Sequence, residues 1–534
     1  MELCDKYMHE YIVLNPSMND YIRLENYDHL RNKFTNTYSD EYSKKDEKIV
    51  TKYIKLLKNK KQKTYYDKLF YHELKNDIKM GYFESEYFPI SSLDNIYLSF
   101  IYDIKSSDSD YQFSDSKSYK DFIYRLKNIN EITKSIIDIL NEGIKSKVLL
   151  PDIIVHRIIV QMESALKQNT KQNNYNHYRK IPSKIKNSFL ETIDKYLILN
   201  IKKITEFLIN EYSQHCKPAI GLCNYRNGKK YYRDIVKNLT FKDYTPEKIH
   251  TLGINEVKKY ITKLKTLQNN MNISGNYNDF IKKVSKHKSS KNVFSELHKI
   301  QLDIIKNIYP KYFNGEIDKD DYYQIKRVTA EEEHTSAYYL LPDLKNERKG
   351  TFFINTLKPD NVNIYELPTL SLHEGIPGHH YENIINKKSD KPLYFRSGCN
   401  YIAYSEGWGL YCESLLEPKN NYEIFWNLIY HLHRCIRLVL DTGIHYYSWS
   451  YEKSFQYMNQ YLPFSDPYIK NEIYRYIDDP GQAITYKIGE LTIQELKKEY
   501  FKKNKGDYKG FHELYLKIGP CPLDVLKERF MSYL

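Results

Sequence analysis

Apolar residues recur at helical spacing along most of the chain. The clearest runs form three groups: Ile136, Ile137, Ile139, Leu140 and Ile144; then Ile153, Ile154, Ile158, Ile159 and Met162; then Ile204, Phe207 and Leu208. Such spacing places apolar side chains on one face of a helix. Pro151 separates the first group from the second, as expected between two helices. The pattern therefore predicts a mainly α protein.

Alternation typical of strands is rare. The best candidates are residues 338–341 and 351–354, which flank a segment beginning with Pro342 and ending with Gly350. They predict a small β-hairpin shortly before a histidine-rich motif. An edge strand there would be able to pair with an extended peptide. We expect a large, two-lobed helical fold with a substrate cleft beside this hairpin.

The length of 534 residues allows more than one domain. A polar stretch at 285–292 is typical of a loop or linker. We therefore predict a mostly helical region at 1–290 that covers one side of the cleft, and a catalytic region at 291–534. The two regions are also compatible with one intertwined domain.

Composition narrows the class of protein. No apolar run approaches the 18 residues that a membrane span needs, and residues 1–10 lack the pattern of a secretory signal. We expect an intracellular, cytoplasmic protein without a membrane partner.

The formal net charge is +13, but acids accompany the lysines nearly everywhere, so a solvated surface is favoured over a nucleic-acid partner. Seven scattered cysteines, Cys399 among them, argue against a disulfide framework.

The candidate chemistry lies in one motif, His373-Glu-Gly-Ile-Pro-Gly-His-His380. Neutral imidazole is a good zinc ligand, and a neighbouring carboxylate can take a proton from water. Glu374 is therefore the candidate general base. Together these residue types predict a site for one zinc ion and a hydrolytic reaction, most often on a peptide bond.

The spacing of the histidines is unusual. Zinc helices commonly carry two histidines four residues apart, but position 377 is a proline here. On a straight helix His379 would point roughly 120° away from His373, and His380 would lie about 10 Å further along the axis. Because Pro377 lacks an N–H and Gly375 and Gly378 tolerate unusual dihedral angles, we predict that the helix breaks here. Either His379 or His380 can then be the second ligand.

A third ligand is expected from residues 404–414. Glu406 and Glu413 lie seven residues apart, which puts both carboxylates on one helical face. We predict that Glu406 binds zinc and that Glu413 orients a ligand histidine from behind. The alternative for Glu413 is an ordinary solvated acid on a helix.

Further candidates follow in the sequence. Arg437, Asp441 and His445 recur every four residues, so they share one helical stripe. His445 is a candidate donor to the oxyanion formed during hydrolysis, and a structural ladder is the alternative. Near the turn at 479–482, Tyr486 is a second oxyanion donor candidate. The candidate substrate-binding residues are Arg475, Gln482 and Tyr339.

These motifs, taken in order, resemble the family called domain of unknown function 885, placed among zinc peptidases with gluzincin-type sites. The resemblance rests on residues 337–339, 353–355, 373–380, 406–413, 437–445, 475–476, 480–483, 486–489 and 511–512. It is looser toward the N-terminus. The resemblance implies a helical zinc hydrolase related to oligopeptidases, but no substrate. It also favours His379 over His380, because Gly378-His379 resembles the Gly-His ending of related zinc helices.

The sequence therefore predicts a zinc metallopeptidase in which His373, His379 and Glu406 hold the metal. Two alternatives stay open. One is a zinc hydrolase of a non-peptide amide or ester, and the other is an inactive binding protein with the same fold. An intact set of ligands together with Glu374 argues against an inactive protein. The oligomeric state is not determined by the sequence.

Overall fold

The computed structural model describes residues 2–87, 93–106, 108–169, 181–288, 292–328, 337–343, 348–357, 362–397 and 401–534. Cys399 lies outside the described residues. The chain separates into two compact units. The first comprises Met1–Ile220, Asp343–Arg348 and Pro392–Tyr394, and the second comprises Gly221–Pro342, Lys349–Lys391 and Phe395–Leu534.

The first unit is built from helices. They are α1 (Leu3–Leu14), α2 (Met18–Ile22), α3 (Asp40–Asn59), α4 (Tyr65–Tyr87), α5 (Leu93–Lys105), α6 (Ser116–Lys127), α7 (Ile129–Ser146), α8 (Asp152–Asn169), α9 (Ser183–Thr192) and α10 (Leu199–Phe207), with a 3-10 turn at Glu25–Leu30 and π-helical turns at Ile193–Ile198 and Leu208–Tyr212. The helices predicted before and after Pro151 are confirmed as α7 and α8. Their apolar faces are buried, for example at Ile136 and Ile158.

The second unit carries the described sheet and the remaining helices, except that α18 begins in the first unit. The helices are α11 (Gly228–Thr240), α12 (Pro246–Asn270), α13 (Tyr277–Ser285), α14 (Val293–Asp303), α15 (Tyr309–Tyr312), α16 (Leu367–Glu374), α17 (His379–Lys387), α18 (Leu393–Arg396), α19 (Ile402–Glu413), α20 (Asn421–His445), α21 (Tyr451–Tyr461), α22 (Asp466–Asp478), α23 (Gln482–Lys503), α24 (Tyr508–Ile518) and α25 (Leu523–Met531). Short turns of the second unit occur at Leu222–Asn224, Ile304–Ile308 and Lys319–Asp321, and the turn at Ser213–His215 belongs to the first unit. The mainly α class is confirmed.

The sheet has three strands in the order β1-β3-β2: β1 (Gln324–Arg327), β2 (Ala337–Leu340) and β3 (Thr351–Ile354). β2 and β3 pair antiparallel, as predicted for the hairpin, with Leu340 opposite Thr351. β1 was not predicted. It pairs in parallel with β3, and its residues Gln-Ile-Lys-Arg include only one apolar side chain, so no alternating pattern marks it as a strand in the sequence.

The division between the units falls after Ile220, whereas the sequence predicted a boundary at residue 290. α12 explains the difference, because it packs closely against α20 within the second unit. A Cβ atom at Gly253 would lie 2.8 Å from both Leu438 Cβ and Val439 Cγ2. This close approach of two helices is a tertiary contact that a polar linker in the sequence does not reveal.

Two long helices of the second unit cross at glycines, and this crossing positions the candidate site. A Cβ atom at Gly489 of α23 would lie 2.0 Å from Ala403 O and 2.6 Å from Gly407 Cα of α19. Backbone therefore contacts backbone at this point. In the described part of the chain, no helix is long and apolar enough to cross a membrane.

Candidate metal centre

The histidine motif occupies two helices separated by a break. α16 ends at Glu374 and α17 begins at His379, so the predicted departure from helical hydrogen bonding around Pro377 is confirmed. A Cβ atom at Gly378 would lie 1.9 Å from His373 O, which leaves room only for glycine. Trp408 Nε1 donates a hydrogen bond to Pro377 O at 2.8 Å, which ties the break to α19.

The break brings three candidate ligands together. Glu406 Oε2 lies 3.5 Å from His373 Nε2 and 3.4 Å from His379 Nε2. The three ligand atoms all lie within 4.8 Å of one another. They come from α16, α17 and α19, so three separate helices position them. Two imidazoles and a carboxylate are a known ligand set for catalytic zinc, and three protein ligands leave one position open.

Glu406 has the environment expected of a metal ligand. Its Oε2 atom is buried and forms no well-directed hydrogen bond, since both imidazole nitrogens lie farther away than usual for such a bond. Burial would raise the pKa of Glu406, but His373 and His379 hold it well below the usual range. A buried, ionised oxygen without a satisfied partner fits a cation at this point. The residues present therefore fit zinc.

Glu413 lies behind His373. Its Oε1 atom is 2.8 Å from His373 Nδ1, and Arg434 Nη2 lies 3.4 Å from the same oxygen. Burial would raise the pKa of Glu413, but Arg434 and His373 lower it, so the carboxylate stays ionised. Gly409 lies against the same imidazole, where a Cβ atom would be 2.9 Å from His373 Nε2. Arg434 was not predicted from the sequence.

The carboxylates around His373 and His379 favour a positive charge at the candidate site. Burial would lower the pKa of His373, but Glu406, Glu413 and Glu374 raise it to about 9. The pKa of His379 is also raised, by Glu406 and Glu374, against the effect of burial. Glu374, the last residue of α16, is partly exposed and helps to raise the pKa of both imidazoles. It directly follows His373, and its role as general base stays a prediction.

Tyr486, Arg475 and Gln482 form a second group beside His373. The Tyr486 ring stacks on the His373 ring with centroids 6.4 Å apart. Arg475 Nη2 donates to Tyr486 Oη at 2.7 Å and to Gln482 Oε1 at 2.9 Å. The guanidinium of Arg437 covers the Tyr486 ring at 4.5 Å from its centroid. Three residues singled out in the sequence are thus brought together next to the candidate ligands.

His380 points elsewhere. Its Nδ1 atom is 2.7 Å from Tyr339 Oη, and its Nε2 atom contacts Asp321 O. Burial lowers the pKa of His380 to about 4, so the ring is neutral. The expectation that His380 is an alternative ligand is corrected, because both ring nitrogens are used in packing α17 onto the sheet region. The role of Tyr339 in substrate binding stays a prediction.

His445 is also corrected, from oxyanion donor to structural residue. Its Nε2 atom lies 2.7 Å from Tyr476 O, and its Nδ1 atom accepts from Leu222 N at 3.2 Å. Because both ring nitrogens of His445 bind backbone groups, neither nitrogen is directed at the candidate ligands. Asp441, one turn earlier, accepts from Gly481 N at 3.1 Å and from Tyr232. The structural alternative therefore holds for this stripe.

Two buried carboxylates near the site were not predicted. Glu472 Oε2 accepts from Arg437 Nη2 at 2.8 Å and from Tyr476 Oη at 2.6 Å. Glu382 Oε1 accepts from Ser405 Oγ at 3.1 Å, and burial raises the pKa of Glu382 to about 7. Glu382 follows His379 by about one helical turn, and this spacing in the sequence was a signal that the two side chains share a helical face. Glu472 gave no such signal, because its partners are distant in the chain.

The chain belongs to the family described as "Bacterial protein of unknown function (DUF885)", whose pattern matches residues 16–530. No curated protein sequence matches it. The fold is similar to that of a "putative lipoprotein" from Colwellia psychrerythraea, with a TM-score of 0.87 and 18% identity over 99% of this chain and 98% of that one. It is also similar to a "putative lipoprotein of unknown function" from Shewanella oneidensis, with a TM-score of 0.74 and 14% identity over 100% of this chain and 99% of that one.

Proposed function

We propose that this protein is a zinc-dependent hydrolase of the gluzincin type, and that it cleaves peptides. One observation carries the proposal. His373, His379 and Glu406 place three candidate ligand atoms within 4.8 Å of one another, and one of these atoms is a buried carboxylate oxygen without a well-directed hydrogen bond. A partly exposed carboxylate, Glu374, follows directly after the first ligand.

His373, His379 and Glu406 would hold one zinc ion, which supplies a Lewis acid that activates water and polarises a carbonyl group. Glu374 takes the proton of the attacking water and later delivers a proton to the leaving amine. Tyr486 lies against His373 and is held by Arg475, so its hydroxyl is positioned to donate to the carbonyl oxygen as negative charge develops.

The surroundings of the ligands support a hydrolytic centre over a purely structural zinc site. Structural sites use four protein ligands, most often with cysteine, whereas the donor cluster found among the described residues has three members. Glu413 holds His373 through Nδ1 and leaves Nε2 directed at Glu406. Such outer partners are a common feature of zinc sites and raise the basicity of the ligand. In this proposal the partner is a peptide, and neither nucleic acid nor membrane is needed.

Metal analysis tests the site first. The purified protein is expected to contain one zinc ion per chain. His379→Gln is expected to lose it, whereas the adjacent His380→Gln, whose ring nitrogens bind Tyr339 and Asp321, is expected to keep it. Equal zinc content in both variants would refute the ligand assignment. The pair is well matched because both positions lie in the first turn of α17.

A digest of an unbiased peptide library tests the reaction. The zinc-loaded protein is expected to cleave peptide bonds, and a chelator is expected to stop cleavage. Zinc binding without peptide cleavage, together with hydrolysis of simple esters or other amides, would favour a non-peptide substrate. Zinc binding with no hydrolysis of any of these compounds would favour an inactive binding protein.

A further inference from the structure

Arg475 places a partly exposed positive charge next to the candidate metal centre. It lies near the end of α22, and 40% of its side chain is exposed, whereas Tyr486 beside it is 6% exposed. Tyr486 connects the two regions, since its ring stacks on His373 and its hydroxyl accepts from Arg475. The side chain of Tyr486 therefore separates Arg475 from the candidate ligand His373.

The charge of Arg475 is poorly compensated by its neighbours. Glu472 is the nearest acid, but Arg475 Nη1 lies 3.8 Å from Glu472 Oε1. The other oxygen of Glu472 binds Arg437 at 2.8 Å and lies 3.1 Å from His433 Nε2. Because Arg437 is buried, it depends on the negative charge of Glu472 for its compensation. Asp479 also interacts electrostatically with Arg475, and Glu406 faces the two imidazoles. Among the described residues, no acid forms a close ion pair with Arg475, so part of its positive charge remains available at the partly exposed guanidinium.

The hydrogen bonds of Arg475 leave donors for a ligand. Nη2 donates to Gln482 Oε1 and Tyr486 Oη, which fixes the plane of the guanidinium. Among the described residues, Nη1 makes only the long contact with Glu472. A guanidinium held on one side, with donors left on the other, is suited to a carboxylate.

We propose that Arg475 binds the C-terminal carboxylate of the substrate, so that the protein is a carboxypeptidase that releases residues from the end of a peptide. This inference rests on the proposed zinc peptidase function. The terminal carboxylate lies one residue beyond the last peptide bond, and one residue spans about 3.8 Å. Arg475 Cζ lies 5.8 Å from the Tyr486 ring centroid, and that centroid lies 6.4 Å from the His373 ring centroid. A terminus bound at Arg475 would therefore direct its last peptide bond toward the candidate ligands.

An acidic side chain is the competing partner for the same charge. It would reach Arg475 through one to three flexible bonds and would not fix which peptide bond lies at the metal. The terminal carboxylate fixes that bond, because the only link between the two groups is a short stretch of backbone. The proposal assigns Arg475 to the chain terminus, and the test must compare the two kinds of carboxylate directly.

Binding is measured by titration calorimetry on zinc-loaded Glu374→Gln protein, in which the substrate stays intact. Three N-acetylated peptides of equal length serve as probes: one with a free C-terminus, its C-terminal amide, and an amide whose last residue is aspartate. The free acid is expected to bind at least about tenfold more tightly than either amide, as the loss of one charge-assisted hydrogen bond implies. Equal binding of the aspartyl amide would overturn the assignment to the chain terminus.

Arg475→Gln is expected to remove the preference for the free acid over the two amides. If Arg475 only held Tyr486, the substitution would lower the affinity for all three probes equally and leave the preference intact, which would overturn the proposal. Lys470→Gln, an exposed cation on the same helix, is the matched control and is expected to keep the preference. If Arg475→Gln does not fold, the relative affinities of the free acid and the two amides for the zinc-loaded Glu374→Gln protein still test the proposal.

Hydrolysis by the unmodified protein separates this inference from the proposed function. Release of single C-terminal residues from free acids, with amides cut at least about tenfold more slowly, is the expected result. Cleavage of acids and amides at equal rates, abolished by Glu374→Gln, would leave a zinc peptidase but overturn the role of Arg475. A protein that binds no zinc and cleaves no peptide would overturn both.

Discussion

His373 and Glu413 are joined by a hydrogen bond of 2.8 Å between Nδ1 and Oε1, and this contact determines which nitrogen faces Glu406. Because Glu413 is ionised, it accepts the proton on Nδ1. Nε2 is then the nitrogen that can bind a metal in the neutral ring. The relationship depends on α19, which carries both glutamates seven residues apart.

Glu413→Gln should weaken zinc binding by about 10- to 100-fold, as loss of such an outer partner typically does. The amide no longer attracts the proton on Nδ1, and it leaves Arg434 without its charged partner. Competition with a chromogenic chelator measures the affinity. Glu528→Gln, at an exposed position of α25, is the control, and an equal loss in both variants would contradict the prediction.

Glu374→Gln should keep zinc at the level of the unmodified protein while peptide hydrolysis falls by at least about 100-fold. The substitution removes the proton acceptor and preserves size and hydrogen bonding. Zinc content by mass spectrometry and the initial rate of peptide cleavage are measured on the same sample. Near-normal turnover with a full zinc content would exclude Glu374 as the general base.

Gly489→Ala should destabilise the protein by about 1–3 kcal/mol or more, because an added methyl group overpacks a close helix crossing. The new atom would lie 2.0 Å from Ala403 O, which is backbone and cannot rotate away. A lower midpoint of thermal unfolding is the expected readout. Lys498→Ala, exposed on the same helix, should change stability by no more than about 0.5 kcal/mol.

Acid should destabilise the metal-free fold as pH falls from about 6.5 toward 4. Burial lowers the pKa of His445 to about 4 and that of His433 to about 3, from the ordinary histidine value of 6.5. A depressed folded pKa contributes stability that is present above the unfolded value and is lost as pH falls through the folded value. Thermal unfolding across this range, with a chelator present, measures the effect.

His445→Gln supplies the comparison for this pH dependence. It should flatten the decline of the unfolding midpoint between pH 6.5 and 4, because one buried group that must be protonated on unfolding is removed. An unchanged slope would show that His445 does not titrate in this window.

Local chemistry made part of the site predictable. The break followed from Pro377 flanked by Gly375 and Gly378, and the shared face of Glu406 and Glu413 followed from their separation by seven residues. Helical periodicity likewise predicted α7 and α8, since apolar spacing is a property of neighbouring residues.

Long-range contacts account for the features that the sequence did not predict. His380 binds Asp321 and Tyr339, and His445 binds Leu222 and Tyr476, so nothing in their own segments indicated these partners. β1 depends in the same way on a parallel partner far along the chain. Burial of a polar side chain by distant segments is decided by tertiary packing.

The crossing of Gly407 and Gly489 places Glu406 through main-chain atoms. Contacts between main-chain atoms do not change when the surrounding aliphatic or aromatic side chains are exchanged for others of similar volume. The position of this candidate ligand therefore depends on the two glycines more than on which side chains fill the surrounding core.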